Sequence, residues 1–354
     1  MRKASMEFLQ AMLAAPGPSG YEGPVREVWK KETTRFAEDV RVDLHGNAIA
    51  SLNGAGSPRI MLAGHMDELG FQVVHIDEEG YISFNTVGGF DMAIVPGRKV
   101  RIHTAKGDVL GVIGKKPIHV MTPEDRRKVA EKHELWMDIG AKDGKEARKL
   151  VAIGDPVTYD ANFEVMRRGL AVSRAFDNKM GAFVVAETMR KVAADRRKVR
   201  AGLFSVATVQ EEVGLRGAST STYGVDPMVG IALDVNFATD HPGMDKRRVG
   251  DHKVGGGPII SRGANINPMV FDELVKAAKR KSIPYQISAE PGGTGTDANA
   301  MQLTRAGVAT GLVGVALRYM HTPVEMLSLD DLEHTSELLK EFVLRVDDKT
   351  SFVP

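Results

Sequence analysis

The chain has 354 residues, which is long for one compact domain, so one large domain with an insertion or two domains is expected. A net charge of only +1 excludes the basic surplus typical of proteins that bind nucleic acid or anionic membrane surfaces, and we expect neither partner. Cysteine is absent, which excludes disulfides and thiolate metal sites and leaves His, Asp and Glu as ligands for any transition metal.

The first part of the chain predicts two helices followed by three strands. Apolar residues recur at helical spacing over residues 6–14 and 25–36, with the PGPSGYEG segment between them. VRVDL and NAIASLN are predicted strands, and the apolar RIMLAG follows. Because Glu7 and Gln10 interrupt the first apolar stretch, it is typical of an amphipathic helix and not of a signal peptide. No apolar run is long enough to span a bilayer, and we expect a cytoplasmic protein.

Residues 70–162 have a different pattern, in which short alternating segments are separated by turns. FQVVHIDEEGYISFNTV, KVRIHTAKGDVLGVIG and GDPVTYD show it, with turns at EEG and KGD. This spacing predicts a small β-barrel or meander. The segment TPEDRRKVAEKHELWMDIG is polar and is predicted to be partly helical. We therefore expect a β-rich domain at residues 70–162, inserted into an α/β domain made from residues 1–69 and 163–354.

The C-terminal half alternates between helix-like and strand-like segments. Helices are predicted over residues 179–193, 269–281, 297–305 and 329–346. The apolar strands GLFSVATV, MVGIALDV, PIISR, YQISA and ATGLVGVAL lie between them. Fully apolar strands interleaved with helices are typical of an α/β sheet that is covered on both faces.

Apolar strands run into an acidic residue or a histidine at five places along the chain. In an open α/β sheet, ligands gather beyond the carboxyl ends of the strands, so we expect these side chains to meet. Buried carboxylates are costly unless they are paired, protonated or bound to metal, and the pattern therefore predicts divalent cations. The candidates are His65, Asp67, Asp177, Glu211, Glu212, Asp234 and His321.

Two imidazoles and several carboxylates without a thiolate suit a pair of first-row ions such as zinc, cobalt or manganese. A two-metal hydrolytic site holds its ions roughly 3.5–4 Å apart and makes a bridging water nucleophilic near neutral pH. A carboxylate that is not a ligand must accept the proton of that water. In the adjacent pair Glu211 and Glu212, one side chain can bind metal while the other faces the water. The pattern alone leaves open which does which.

Six motifs occur in an order that resembles the M42 aminopeptidases, which include glutamyl and deblocking aminopeptidases and the tetrahedral, dodecameric TET peptidases. The motifs are GHMDELGF, SRAFDNKMG, VQEEVGLRGA, ALDV…ATDHPG, GGTGTDAN and RYMHTP. The resemblance covers nearly the whole chain, including the β-rich insertion. It implies a zinc-exopeptidase-like α/β/α sandwich with a mixed, mostly parallel sheet. Relatives of the family have also been labelled endoglucanases.

The resemblance also implies a role for each candidate ligand. Asp177 would bridge two divalent ions, which would be Zn²⁺ or Co²⁺. Glu212 and His321 would complete one metal site, and His65 and Asp234 the other. The implied substrates are short peptides with a free N-terminus, whose α-amine is held at the metal centre.

Glu211 would then be the general base, and Asp67 would orient His65 through its second ring nitrogen. The insertion resembles the family's PDZ-like dimerisation domain, and dimers assembling into a dodecamer are implied. The segment KKPIHVMTPEDRR, which contains His119, resembles a mobile loop beside the active site. Asn178 is a local departure, because many members have a second Asp there, but it removes no ligand.

Several alternatives stay open. The chain could be a glucanase, although glycosidases usually need two carboxylates and no metal. It could also be a non-catalytic, self-assembling peptide-binding protein that keeps the fold without turnover. Asp177 could cap the helix predicted from residue 179. In GGTGTDAN no Lys-Ser/Thr follows the glycines, which excludes a phosphate loop, so Thr296 or Asp297 is expected to cap the next helix beside the substrate pocket.

Overall fold

The computed structural model describes residues 1–354 and contains nine α-helices and seventeen strands. The helices are α1 (Lys3–Ala14), α2 (Gly23–Thr33), α3 (Gly144–Leu150), α4 (Phe176–Ala194), α5 (Arg216–Val225), α6 (Lys246–Val249), α7 (Pro268–Arg280), α8 (Asp297–Gln302) and α9 (Leu329–Arg345). The strands of the N-terminal part and of the insertion are β1 (Asp39–Val42), β2 (Ala48–Leu52), β3 (Arg59–His65), β4 (Gly70–Ile76), β5 (Ile82–Val87), β6 (Lys99–Thr104), β7 (Gly107–Gly114), β8 (Trp136–Asp138) and β9 (Pro156–Tyr159). Those of the C-terminal part are β10 (Glu164–Val165), β11 (Leu170–Ser173), β12 (Gly202–Thr208), β13 (Val229–Phe237), β14 (Ile259–Gly263), β15 (Gln286–Glu290), β16 (Ala309–Leu317) and β17 (Glu325–Ser328).

An eight-stranded sheet forms the centre of the larger part of the molecule. Its strand order is β1-β2-β12-β3-β13-β16-β14-β15. The neighbours β12, β3, β13 and β16 are parallel, as are β14 and β15. The pairs β1–β2, β2–β12 and β14–β16 are antiparallel. The sheet is mixed and mostly parallel, which confirms the predicted fold class.

Helices cover this sheet because its central strands are apolar on both faces. The long helix α4 packs on β3, β12 and β13 and is itself contacted by α1, α2 and α9. The helices α5 and α8 pack on each other and on the sheet. At one point the backbone of α4 lies directly on β3, since a Cβ at Gly64 would collide with the backbone of Gly181. This close approach brings the end of β3 to the N-terminal part of α4.

The predicted β-rich insertion folds as a closed barrel with the strand order β4-β5-β8-β7-β6-β9. It has an apolar core of its own, separate from that of the sheet. Four aromatic rings meet in this core, where Phe71 contacts Phe84, Phe90 and Tyr159 at centroid distances of 4.6–5.3 Å. The polar segment within the insertion forms 3₁₀ turns at Asp125–Arg127 and Lys132–Glu134, and its end is strand β8. The domain limits at residues 69/70 and 162/163 stay a prediction.

A second, three-stranded sheet with the order β10-β11-β17 was not expected. The sequence pattern treats the strand before Asp177 like the strands of the main sheet. That prediction is wrong, because β11 pairs with β10 and β17 instead. Its short, mixed composition gives no periodic signal that would assign it to another sheet. No helix of the structure is long and apolar enough to cross a membrane.

Candidate metal centre

One cavity of about 800 Å³ lies at the carboxyl ends of the central parallel strands, which we call the sheet edge. Most of the predicted site residues line this cavity. Its deep end is formed by His65, Asp177, Glu211, Glu212, Asp234 and His321. All but His321 have side chains that are more than nine-tenths buried. Residues distant in sequence thus meet in one buried cluster, and Asp67 lies directly behind it.

Asp177 lies between the two imidazoles of the cluster. Its Oδ1 is 3.4 Å from Nε2 of His65, and its Oδ2 is 3.4 Å from Nε2 of His321. Each oxygen therefore faces a different histidine. The carboxylate is shared by the two halves of the cluster.

The remaining carboxylates extend the cluster on either side of Asp177. Glu212 Oε2 is 3.8 Å from Nε2 of His321. Glu211 Oε2 and Asp234 Oδ1 lie 3.7 and 4.0 Å from Nε2 of His65. Two sets of three ligand atoms are close enough to hold an ion. They are His65 with Glu211 and Asp234, and His65 with Asp177 and Glu212.

The strand-end rule describes only part of this arrangement. His65 is the last residue of β3, and Asp234 lies within β13 near its carboxyl end. The other candidates do not directly follow an apolar strand of the main sheet, and for them this prediction is wrong. Strand β12 ends at Thr208, so Glu211 and Glu212 lie in the turn that follows it.

Asp177 and His321 depart furthest from the rule. Asp177 belongs to the first turn of α4, where its backbone is not helical (φ −79°, ψ 105°). His321 lies four residues beyond the end of β16 and has φ 61° in the left-handed region. Asp177 does not cap its helix as considered above. Asn178 does so, because its Oδ1 accepts the N–H of Gly181 at 3.0 Å.

Asp67 lies against His65, whose Nδ1 is 3.2 Å from the backbone carbonyl oxygen of Asp67, and it also holds the turn that carries the glutamate pair. Its Oδ1 is 3.4 Å from Nδ1 of His65. The backbone N–H groups of Glu211 and Glu212 donate to its two oxygens at 3.1 and 3.2 Å, and Ser19 Oγ donates at 2.7 Å. One buried carboxylate thereby fixes three candidate residues relative to one another.

The PGPSGYEG segment supplies further support that the sequence did not predict. Glu22 accepts the N–H of Gln210 at 3.1 Å, so three successive amides of the glutamate turn end on buried carboxylates. Burial raises the pKa of Glu22 to about 7.

Glu68 accepts Lys179 Nζ at 2.5 Å and also pairs with Arg174. The adjacent acids in GHMDELGF were the only sequence signal for this buried ion cluster.

The sequence pattern also did not indicate Glu325, a carboxylate that connects the backbones of two candidate ligands. Glu325, the first residue of β17, accepts the N–H of Asp177 at 3.0 Å and the N–H of His321 at 2.9 Å. It is buried at 3% exposure. An isolated acid in the apolar segment TPVEML is a weak signal, because the fold rather than the sequence brings it to Asp177.

The carboxylates of the cluster cannot all be charged without a cation nearby. Burial raises the pKa of Glu211 to about 10 and that of Glu212 to about 8, and it raises the pKa of Asp234 well above its usual range. The neighbouring carboxylates add to each effect, while His65 opposes it. Protein groups alone therefore leave several acids in the protonated form at neutral pH.

The two histidines respond in the opposite sense to the same crowding. Burial lowers the pKa of His65, but the charge of Glu211 and the hydrogen bond to Asp177 outweigh burial and raise the pKa well above the usual value. The hydrogen bond to Asp177 raises the pKa of His321 to about 9. Burial alone would raise the pKa of Asp177, yet its hydrogen bonds with both imidazoles hold it below the usual range. The imidazoles act as the cations of this cluster.

The residues fit a metal ion. No lysine or arginine forms an ion pair with Asp177, Glu211, Glu212 or Asp234. Oε1 of Glu212 is buried and has no hydrogen-bond partner. Divalent cations would neutralise the carboxylates and supply the missing partner, and a His/Asp/Glu set without thiolates suits borderline first-row ions.

The outer wall of the cavity comes from α6 and from the GGTGTDAN segment. Thr294, Gly295 and Thr296 line it, and Thr296 caps α8 by accepting the N–H of Ala298. This agrees with the predicted capping and the predicted place beside the pocket. His119 lies in an exposed 3₁₀ turn and does not line the cavity.

A mixed α/β sheet with a buried carboxylate–histidine cluster at its edge is typical of metal-dependent hydrolases. The sequence model of the M42 glutamyl aminopeptidases matches residues 46–338, and the chain belongs to this family. The resemblance stated above is thereby confirmed, as is the predicted class of enzyme, a metallo-aminopeptidase. The family is metal-dependent, and the buried cluster could hold the metal.

Three relatives illustrate the match. A lysyl aminopeptidase of Pyrococcus furiosus is 34% identical over 337 residues, covering 94% of this chain and 95% of its own. The crystal structure of a TET aminopeptidase from a marine-sediment archaeon of the Thaumarchaeota has a TM-score of 0.93 and 37% identity, covering 98% of each chain. The TET1 peptidase of Pyrococcus horikoshii, which can assemble into a tetrahedron or a large octahedral shell, has a TM-score of 0.86 and 33% identity, covering 97% of this chain and 100% of its own.

The endoglucanase label also occurs among the similar structures. A Thermotoga maritima structure described as an endoglucanase has a TM-score of 0.75 and 29% identity, covering 95% of this chain and 96% of its own. The shared fold does not decide between the two labels, since function is determined by the site.

Proposed function

We propose that the chain is a two-metal aminopeptidase that removes N-terminal residues from peptides, with Glu211 as the general base. The observation that carries the proposal is the position of Asp177, whose two oxygens each lie 3.4 Å from a different imidazole. A carboxylate shared in this way suits a bridge between two ions. The names of the relatives, lysyl aminopeptidase and TET aminopeptidase, support short peptides with a free N-terminus as substrates.

The five proposed ligands divide between two ions. His65 and Asp234 would hold one, Glu212 and His321 the other, and Asp177 both. We propose Zn²⁺ or Co²⁺, for which His and carboxylate ligands are suitable. When bound, such ions lower the pKa of a coordinated water to about 7 and polarise the scissile carbonyl.

Glu211 would accept the proton of the attacking water and return it to the leaving amine. Its carboxylate lines the cavity, while its backbone is fixed by Asp67. Asp67 would in addition hold the ring of His65 in the orientation that ligation needs.

The Glu211→Gln substitution tests the base. The variant should bind the metal ions with unchanged stoichiometry, measured by elemental analysis, while kcat on an aminoacyl chromogenic substrate falls at least about 10²-fold. Glu341→Gln is a matched control, because Glu341 is equally buried, at 8% exposure, but it lies in α9, pairs with Arg280 and does not line the cavity. Full activity of Glu211→Gln would show that Glu211 is not the base. Loss of metal would show that it is a ligand instead.

A glycoside hydrolase is the second candidate, favoured by the neighbour described as an endoglucanase. Such enzymes need two carboxylates and usually no metal. Peptidase activity should disappear with EDTA and return when Zn²⁺ or Co²⁺ is added. β-Glucan hydrolysis that survives EDTA would support the glucanase. Metal binding without hydrolysis of any peptide or glucan would favour a non-catalytic peptide-binding protein.

Assembly and location complete the proposal. The shells formed by the TET1 peptidase support a homo-oligomer in which dimers assemble into a dodecamer. The inserted barrel, residues 70–162, would provide the dimer contact, and its strand β7 exposes Leu110 and Val112. A chain without cysteine suits a cytoplasmic location.

A further inference from the structure

We propose that Glu325 is a positioning residue whose carboxylate holds Asp177 and His321 in the arrangement that metal binding requires. The inference rests on the proposed function, because it takes these two residues as ligands. Its subject is a side chain that does not face the cavity and that no sequence motif indicated.

The geometry is that of a two-armed contact. Oε2 of Glu325 accepts the backbone N–H of Asp177 at 3.0 Å, and Oε1 accepts the backbone N–H of His321 at 2.9 Å. No lysine, arginine or histidine forms an ion pair with the carboxylate. Two amides that are 144 residues apart in the chain are therefore joined through one buried side chain.

Asp177 and His321 need such support more than the other candidates do. His65 and Asp234 lie in parallel strands, whose register fixes their backbone. Asp177 precedes the regular part of α4 and has no helical backbone conformation. His321 has a left-handed backbone at φ 61°, which a residue with a Cβ adopts only when its surroundings hold it there. These two candidates, which have no strand register to hold them, both donate to Glu325.

The small sheet determines where this carboxylate lies. Glu325 is paired with Ser173, the last residue of β11, and the chain continues from Ser173 through one tight turn to Asp177. On the other side, only three residues lie between His321 and Glu325, the first residue of β17. The register of β11 and β17 thus brings both amides to one side chain. This gives the unexpected second sheet a function in building the site.

The glutamate pair is supported in the same way on the opposite side of the cluster. Asp67 accepts the amides of Glu211 and Glu212, as Glu325 accepts those of Asp177 and His321. Apart from His65 and Asp234, every proposed ligand and the proposed base are thus held through their backbone by a buried carboxylate. Such supporting contacts typically contribute 10–100-fold in metal affinity.

The test uses Glu325→Gln, which preserves size but replaces one acceptor oxygen by an NH₂ group. That group would face an N–H donor, so one of the two backbone contacts is lost. Metal-free full-length protein is titrated with CoCl₂ by calorimetry, and the visible absorption of bound Co²⁺ is recorded. We expect Co²⁺ affinity to fall about 10–100-fold and the absorption bands to change, because a ligand is displaced.

Two reference variants make the result decisive. Asp331→Asn alters a buried carboxylate that also accepts two backbone amides, those of Gly255 and Gly257, away from the cluster. It should lower the melting temperature of the metal-free protein about as much as Glu325→Gln does, and leave the Co²⁺ spectrum unchanged. His321→Ala removes a proposed ligand and should weaken Co²⁺ binding at least as much as Glu325→Gln.

Each outcome has one meaning. If Glu325→Gln keeps wild-type Co²⁺ affinity and spectrum while His321→Ala loses them, Glu325 does not position the ligands. A loss of affinity that Asp331→Asn reproduces also overturns the inference, because the effect is then one of general stability. If His321→Ala binds Co²⁺ like wild type, the ligand assignment in the proposed function fails instead.

Discussion

The α/β part and the barrel of this chain bury different kinds of side chain. Thr158 is the only polar or charged residue that is buried in the barrel. The rest of the barrel core consists of aromatic and aliphatic groups around Phe71. At the edge of the main sheet, carboxylates, imidazoles and the ammonium group of Lys179 are buried together. Apolar burial stabilises a fold, whereas buried charge costs free energy unless it is compensated. The comparison indicates that side-chain burial in the barrel stabilises the fold, whereas the buried charged groups at the sheet edge serve the proposed metal site.

The largest change in stability is expected from Phe71→Ala in the barrel. Phe71 is fully buried among three other aromatic rings, and its truncation should lower the free energy of unfolding by about 3–5 kcal/mol. Metal stoichiometry, measured on folded protein at low temperature, should stay unchanged. Denaturant unfolding checks the first expectation. A loss of bound metal in the folded variant would contradict the separation of the two regions.

Raising the pH should destabilise the metal-free protein through the sheet edge. The pKa values of Glu211 and Glu212 are raised to about 10 and about 8, so the folded chain binds more protons than the unfolded chain above pH 4.5. That contribution is complete below the unfolded pKa and is lost as the pH rises through the folded pKa values. Each unit of pKa shift is worth about 1.4 kcal/mol, and water that enters the metal-free site reduces the contribution of each group. We therefore expect the free energy of unfolding to fall by about 2–3 kcal/mol between pH 5 and 8.

Urea unfolding of EDTA-treated protein at both pH values measures this effect. Saturating Zn²⁺ should abolish the loss or reverse its sign, because bound ions favour the charged carboxylates. Stability of the metal-free protein that is constant or increases over this range would show that the cluster is not proton-rich without metal.

Asp67→Asn should have an intermediate effect, seen in metal affinity more than in stability. The amide has one acceptor oxygen, so it cannot accept the N–H groups of both Glu211 and Glu212 as the two oxygens of the carboxylate do. Metal affinity should fall about 10–100-fold, which corresponds to about 1.4–2.8 kcal/mol. Competition with a chromogenic chelator measures it. Unchanged affinity would remove Asp67 from the list of supporting residues.

The smallest effect on stability is expected from Val112→Asp on the outer surface of the barrel. Val112 is 45% exposed, so the stability of the separate subunit should change by no more than about 0.5 kcal/mol. If the barrel forms the proposed dimer contact, native mass spectrometry should show smaller assemblies. An unchanged mass distribution would place the contact elsewhere.

Regular structure was predictable from local patterns. The alternation in residues 70–162 indicates the barrel strands, and the apolar run before His65 indicates β3 and places a histidine at its end. Both signals arise from burial of a periodic backbone, which leaves a trace in the order of apolar residues. The sequence could therefore indicate both the fold class and a cluster at the sheet edge.

Irregular structure was not predictable in this way. Asp177 and His321 lie on backbone outside any strand or regular helix turn, and their positions depend on Glu325 and the small sheet. Such contacts join residues far apart in the chain and follow no period. The roles of Asp177 and His321 came from the family resemblance, whereas no pattern of residues indicated Glu325.

The strand order of the main sheet has a consequence for biosynthesis. β16 lies between β13 and β14, although both precede it in the chain, and β14 and β15 have no other link to the rest of the sheet. His321 and Glu325 follow later still. A nascent polypeptide emerging from the ribosome therefore lacks the proposed ligand His321 until this late segment has been translated. With the proposed ligand set, the metal centre would be completed only at the end of synthesis.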